Sequence, residues 1–453
     1  MSRSSNPPDP APRVCSIDAG RPFLPTLATA LLDGELVPGF AFDPADPARL
    51  AEALILVPTR RAARALADAI VAALAARGAP PVALLPEIRP FGDVDEDGDL
   101  LDLDGEADLA PVATPLERRL AMTRLVLAWT RPHLAFHRDP APDTPLGLPI
   151  RPAEAVRLAS ALIVLMDQVV AQGADWARLA DLVPEEHALW WQLTRDFLSI
   201  ATAAWPAHLA ERGLDDPAVR RHAAVRRTAR RLAEAPPKGP VIAAGSTGSV
   251  PSTAELIEAV ARLPRGAVVL PGLDRDLDAD AWVALAPAEG RGDPEPGHPQ
   301  FGLRLLVDRL GVDREAVIRL GPPSTAPEAA RRRLLSEALR PAASTDRWRA
   351  VAAEIADGRL DLSAALDGLS LIEARNDAEE AQAVALALRE AIEAPDATAA
   401  LVTPDRNLAR RVAAELGRWG LEIDDSAGRP LGHTAAGILA RLAVEVPLGG
   451  FDA

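Results

Sequence analysis

The sequence predicts an α/β protein, with parallel-sheet lobes and an all-helical insertion between them. Residues 54–70, LILVPTRRAARALADAI, supply the first reason. Four apolar residues read as a buried strand, Pro58-Thr59 ends it, and Arg60, Arg61 and Arg64 open an Ala/Leu-rich helix. An apolar run closed by Pro and followed by helical periodicity is a strand–turn–helix unit of a parallel sheet. The second reason is that the unit recurs. Residues 399–402 read as a strand, Thr403-Pro404-Asp405 as its turn, and Arg406, Arg410 and Arg411 lie in the helix that follows. The third is the stretch from Pro152 to about Ala235, whose periodicity is helical throughout and which separates two α/β stretches.

Ligands of parallel sheets sit at the carboxyl ends of the strands. Thr59, Arg60, Arg61 and Arg64 are thereby predicted to meet phosphates with a hydroxyl, helix amides and guanidinium groups. Thr403, Arg406 and Arg410 are predicted to do the same in a second lobe.

A chain of 453 residues exceeds one ordinary core. No stretch reaches the ~18 uncharged apolar residues that span a bilayer. The start, MSRSSNPPDPAPR, lacks the apolar core of a signal peptide, so a cytoplasmic protein is expected. Cys15 is the single cysteine, which excludes an internal disulfide framework and a multi-cysteine zinc or iron–sulfur site. The net charge of −16 argues against nonspecific, whole-surface nucleic-acid binding but leaves room for a local basic channel. Lys238 is the only lysine, so arginine carries nearly all positive charge; base-composition bias of the genome accounts for this better than function does.

In chain order, residues 1–12 read as a disordered lead and 13–137 as the first part of one lobe. A first strand at 14–17 is followed by Asp18-Ala19-Gly20 and a short helix at 23–32, the setting of a nucleotide loop. Gly20 and Arg21 stand in that loop, which lacks the GxxxxGK[ST] pattern. Residues 82–85 suggest another strand, and IRPFGDVDEDGDLLDLDGEAD an acidic loop. A helix is predicted over 114–129, with Thr114 as cap and Glu117 three residues on. The insertion occupies 150–236, and 239–340 complete the lobe. There, 241–244 and 266–270 read as strands. Gly245-Ser246-Thr247-Gly248-Ser249 forms the turn between the first of these and a helix. Residues 365–453 read as the start of a second lobe, with strands at 369–373, 399–402 and 421–424. Two or three strands make an incomplete sheet, so a truncated form is expected.

The chemical signals are mostly negative. A phosphate-loop nucleotidase needs a lysine after its glycine loop, and Lys238 precedes its strand. No acidic pair follows an apolar strand to hold magnesium. Gly245, Ser246 and Gly248 fit an anion cradle, with a plain glycine-rich turn as the preferred alternative. Asp93, Asp95, Asp97, Gly98, Asp99 and Asp104 partly match a calcium loop, but the entering helix and the twelfth-position Glu are missing. His133 and His137 have helical ligand spacing without a third ligand, so core or capping roles are preferred to metal. Trp190-Trp191 suit base stacking or, better, a helix core. The arginines between Arg220 and Arg231 suit phosphates or a solvated helix face equally. No metal site, serine–histidine elbow, reactive-cysteine setting or Rossmann fingerprint emerges.

Five stretches together carry a resemblance: IDAGRPFLPTLATALLDG, LILVPTRRAARALADAI, LLPEIRPFGDVDEDG, VIAAGSTGSVPSTAELIEAVARLPRGAVVLPGLD and TAALVTPDRNLARRVAAELGRWGLEIDDSAGRPL. The chain resembles the AddB family, subunits of the bacterial AddAB helicase–nuclease, in the alphaproteobacterial form. The resemblance implies superfamily-1 helicase-like, RecA-type lobes. It also implies a role in double-strand-break repair: end resection and recognition of a recombination hotspot. The family's motor ATPase, with its ATP and magnesium, lies in the partner AddA. DNA ends, single- and double-stranded, would be the other partner. Pro58-Thr59-Arg60 falls where such helicases touch single-strand phosphates, and Thr403-Pro404-Asp405-Arg406 at the corresponding edge of the second lobe. The family's C-terminal nuclease domain and its iron–sulfur cluster have no counterpart in these residues. The expectation is a non-motor DNA-binding subunit with no cofactor of its own. The rival expectations are a scaffold that docks AddA without binding DNA and, less favoured, an active ATP-dependent helicase.

Overall fold

The computed structural model describes residues 12–79, 84–91, 110–136, 151–181, 188–288, 293–395 and 397–449. The chain divides into two compact units, Met1–Leu366 and Asp367–Ala453.

Unit 1 is an α/β structure built on a six-stranded, all-parallel sheet. Its strands are β1 (Val14–Ile17), β2 (Leu54–Val57), β3 (Glu87–Pro90), β4 (Val241–Ala244), β5 (Gly266–Pro271) and β6 (Ile318–Leu320). Their order is β3-β2-β4-β5-β1-β6, consistent with a RecA-like arrangement. Register places Ile55 between Ile88 and Ile242, and Cys15 between Val269 and Ile318. The central strands are short, apolar and buried except at Leu54 and Pro271, as strands covered on both faces must be.

Alternation along the strands divides the core in two. Cys15, Ile17, Ile55, Val57, Ile242 and Val269 face α1 (Phe23–Leu32) and α2 (Arg60–Ala76). Val14, Leu56, Ala243, Val268 and Leu270 face the other layer. Between β3 and β4 the chain runs through α3 (Pro115–Phe136), α4 (Pro152–Gln172), α5 (Ala188–Ser199), α6 (Trp205–Arg212) and α7 (Pro217–Glu234). A helical core of Met122, Val126, Leu162, Met166, Ile200 and Trp205 holds the insertion together. α7 instead lays Val225, Ala229 and Leu232 on the sheet's second face, beside α8 (Pro251–Ala261), α9 (Ala279–Leu285) and α10 (Phe301–Leu310). α11 (Ala326–Ala338), α12 (Trp348–Ala356) and α13 (Leu362–Leu366) complete the unit.

The predicted capping box at Thr114 forms. Thr114 N donates to Glu117 Oε2 at 2.9 Å, and Glu117 N donates to Thr114 Oγ1 at 3.3 Å. The strand expected at 82–85 does not form over its described part, Leu84 and Leu85. The strand lies at Glu87–Pro90, and its last three residues fall in the stretch read as the start of an acidic loop. Pro90 is tolerated there because β3 is an edge strand and ends at that residue. β6 was not expected at all; it is three residues long and borders β1 alone.

Unit 2 is built from α14 (Asp377–Glu393), α15 (Arg406–Gly417) and α16 (Ala435–Gly449). Ala381, Ala385, Val412 and Leu416 form its small core, with Leu401 and Leu421 packed against it. The strands expected at 369–373, 399–402 and 421–424 are not strands in the structure: no ladder forms among the described residues of this unit. Leu371 and Val402 are 87% and 92% exposed. Apolar residues in an extended run become a strand only when a neighbour supplies the hydrogen bonds and the cover.

Candidate nucleic-acid interface

At the carboxyl ends of β2 and β4 the chain leaves toward opposite faces of the sheet, through α2 and α8. Such a divergence of neighbouring strands is where open α/β sheets take ligands. Thr59 caps α2, its Oγ1 accepting from Ala62 N at 3.0 Å. Arg60, Arg61 and Arg64 are exposed in the first turns of that helix. Arg60 and Arg61 already have interaction partners, whereas Arg64 forms no ion pair among the described residues.

The turn after β4 lies against this one. A Cβ added to Gly245 would stand 3.5 Å from Pro58 Cδ and 3.3 Å from the Phe23 ring. Gly245 and Gly248 both have positive φ, +80° and +65°. At Gly248 a Cβ would meet Leu306 Cδ1 at 3.0 Å. Ser246 Oγ accepts from Gly248 N at 3.2 Å, so the turn closes on itself. Close packing and backbone conformation account for both glycines, as a glycine-rich turn requires.

The loop after β1 is strapped rather than open. Gly20 takes φ +86°, and Arg21 reaches across to α11. Its Nη2 lies 3.0 Å from Glu328 Oε2 and donates to the carbonyl of Pro323 at 2.9 Å. Asp18, only 7% exposed, is held by Arg332 Nη1 at 3.2 Å and Arg319 Nε at 3.3 Å. Arg332 also binds Asp276 Oδ2 at 2.6 Å, tying the β5 loop to the same cluster. Burial opposes the charge on Arg332, but the hydrogen bond to Asp276 and the charges of Asp276, Asp18 and Asp274 outweigh it and raise its pKa. The sequence pointed to Gly20 and Arg21 but not to these partners. Arg332 stands in the run Arg331-Arg332-Arg333 of α11.

In unit 2, Thr403 Oγ1 accepts from Asp405 N at 3.0 Å, and Asp405 caps α15. Arg406 forms a two-pronged pair with Asp425, 3.0 and 2.7 Å, and its Nη2 donates to the Gly428 carbonyl at 3.2 Å. The hydrogen bond to Asp425 raises its pKa. Arg410 contacts Asn407 Oδ1, and Arg411 pairs with Asp377 at 2.9 Å. The structure therefore brings Thr59, Gly245, Ser246 and Gly248 to one edge of unit 1, while Thr403, Arg406 and Arg410 belong to unit 2.

Several predicted groups lie outside the described residues: Asp93, Asp95, Asp97, Gly98, Asp99 and Asp104, and His137. His133 lies within α3, and Trp190 and Trp191 within α5, with their side chains undescribed. Among the described residues, no group of His, Cys, Asp and Glu could hold a metal ion, and no helix is long and apolar enough to cross a membrane. No family model matches the chain, and no curated protein matches it.

Proposed function

We propose that the chain is a non-motor, helicase-like subunit that binds DNA in a double-strand-break repair helicase–nuclease whose motor is a separate, AddA-like chain. The observation that carries this reading is the closed β1 loop. Where a nucleotidase presents a lysine and glycine amides to phosphate, this chain has Asp18 locked to Arg319 and Arg332. With Asp18 engaging both guanidinium groups, neither stands free to take a triphosphate. The neighbouring edge, with Thr59 and an exposed Arg64, retains the polarity that suits a phosphodiester strand.

The test is salt-titrated binding of the full chain to a single-stranded oligonucleotide, with nucleotide hydrolysis measured in parallel. Affinity is expected to fall with salt. Arg64→Ala should reduce the slope of log K against log salt by about 0.7, one single-strand phosphate contact, and Arg60→Ala and Arg406→Ala, whose side chains already have partners, by less. Unchanged slopes, or turnover of ATP above background, end the proposal. A second reading, a scaffold that docks the motor without touching DNA, draws support from the exposed Leu371 and Val402. It predicts capture of the motor chain and no DNA binding by this chain alone.

A further inference from the structure

The insertion's last helix and the sheet form a feature that the edge described above does not use. α7 and α8 run side by side in the same direction, with Arg226 opposite Glu255 at 3.0 Å and His222 opposite Ser252 at 2.9 Å. Between them lies a groove of about 510 Å³. The alanines that line it, Ala223, Ala229, Ala233 and Ala259, offer only methyl groups. Its walls are charged and unevenly so. Glu258 is shared by Arg262 at 2.8 Å and Arg309 at 2.7 Å, and Glu255 is matched by Arg226. Arg230 is exposed on the rim and has no ion pair among the described residues. Four guanidinium groups thus surround two carboxylates.

We propose that this α7–α8 groove is a second nucleic-acid contact, which takes the phosphodiester backbone of a single strand along Arg226, Arg230 and Arg262. Arg226 and Arg230 stand four residues apart on one helix face, ~6 Å along the axis, so neighbouring guanidiniums can address neighbouring phosphates. The alanine lining accepts a sugar–phosphate ribbon but offers no anchor of the kind that concentrates affinity in peptide docking. The surplus positive charge sits in a chain of net charge −16, so it is a local exception and not an overall property.

This inference rests on the DNA-binding reading and is tested so that the two fail separately. Oligothymidylate and polyglutamate are titrated against the full chain, against Arg230→Ala/Arg262→Ala, and against Glu255→Gln. The double variant is expected to lower the salt slope for oligothymidylate by about 1.4, two single-strand contacts. Glu255→Gln, which removes a repelling carboxylate, is expected to tighten oligothymidylate binding several-fold and keeps the proposal testable should the double variant misfold. Oligothymidylate binding that weakens in Arg64→Ala but is unchanged in both groove variants overturns the groove and leaves the edge. Groove variants that weaken polyglutamate alone overturn the phosphodiester assignment. Absence of oligothymidylate binding by the unaltered chain overturns both.

Discussion

Arg332 Nη1 lies 3.2 Å from Asp18 Oδ2, joining residues 314 positions apart at the carboxyl end of β1. Both are largely withdrawn from water, so the pair is held by mutual need: either charge left alone would be buried without compensation. Arg332→Ala is expected to destabilise unit 1 by about 3 kcal/mol, the lower part of the range for breaking buried pairs, because Arg319 and Ser324 still face Asp18. Chemical denaturation followed by circular dichroism measures it. Asp18→Asn combined with Arg332→Met should recover most of the loss. A double variant no more stable than Arg332→Ala would show that the ion pair is not what holds α11 to the β1 loop.

Asp216 performs three tasks at the root of α7. It caps the helix by accepting from Ala218 N at 2.8 Å, it accepts from Trp205 Nε1 at 2.9 Å, and it lies 3.1 Å from the buried Arg118 Nη2. Asp216→Ala removes a cap worth about 1 kcal/mol. Among the described residues it also leaves Arg118 with the half-exposed Asp167 alone, at 2.7 Å. The expected total loss is about 3–4 kcal/mol. Asp216→Asn, which keeps one carbonyl oxygen for the cap but turns a donor NH2 toward the Trp205 indole and the Arg118 guanidinium, should fall between the alanine variant and the unaltered chain. Equal stability of the alanine variant and the unaltered chain would refute the assignment.

His222 predicts a pH dependence. Burial lowers its pKa, Arg221 and Arg226 lower it further, and Asp167 opposes them weakly. Its Nδ1 meets Ser252 Oγ across the α7–α8 contact. A histidine with a depressed folded pKa contributes stability in full above its ordinary value near ~6.5. That contribution is lost as pH falls from there through the lowered folded value. Unfolding free energy measured between pH 8 and pH 5 should therefore fall more steeply for the unaltered chain than for His222→Asn. Parallel curves would show that the ring is protonated equally in folded and unfolded chains.

The parts of the fold legible in the sequence are those that local chemistry specifies. VCSI, LILV, VIAA and GAVVLP are apolar runs closed by turn formers, and each is a strand. Thr59 and Thr114 announce helices by side chains that reach only three residues ahead. The same local reading placed Thr59, Arg64 and the β4 glycines at the sheet's carboxyl edge, because a strand followed by a helix leaves its connecting turn there.

What the sequence by itself determined, then, is the alternation of strand, turn and helix, and the identity of the side chains at the turns. Tertiary structure alone decided which runs became strands and which charges were already spoken for. EIRP and IRL pair because β2 and β1 lie beside them, whereas equally apolar runs in unit 2 remain without a ladder. Asp18 finds its cations some three hundred residues onward, and Arg406 finds Asp425. The physical reason is that backbone ladders and ion pairs are made between segments, so no pattern within one segment can name its partner.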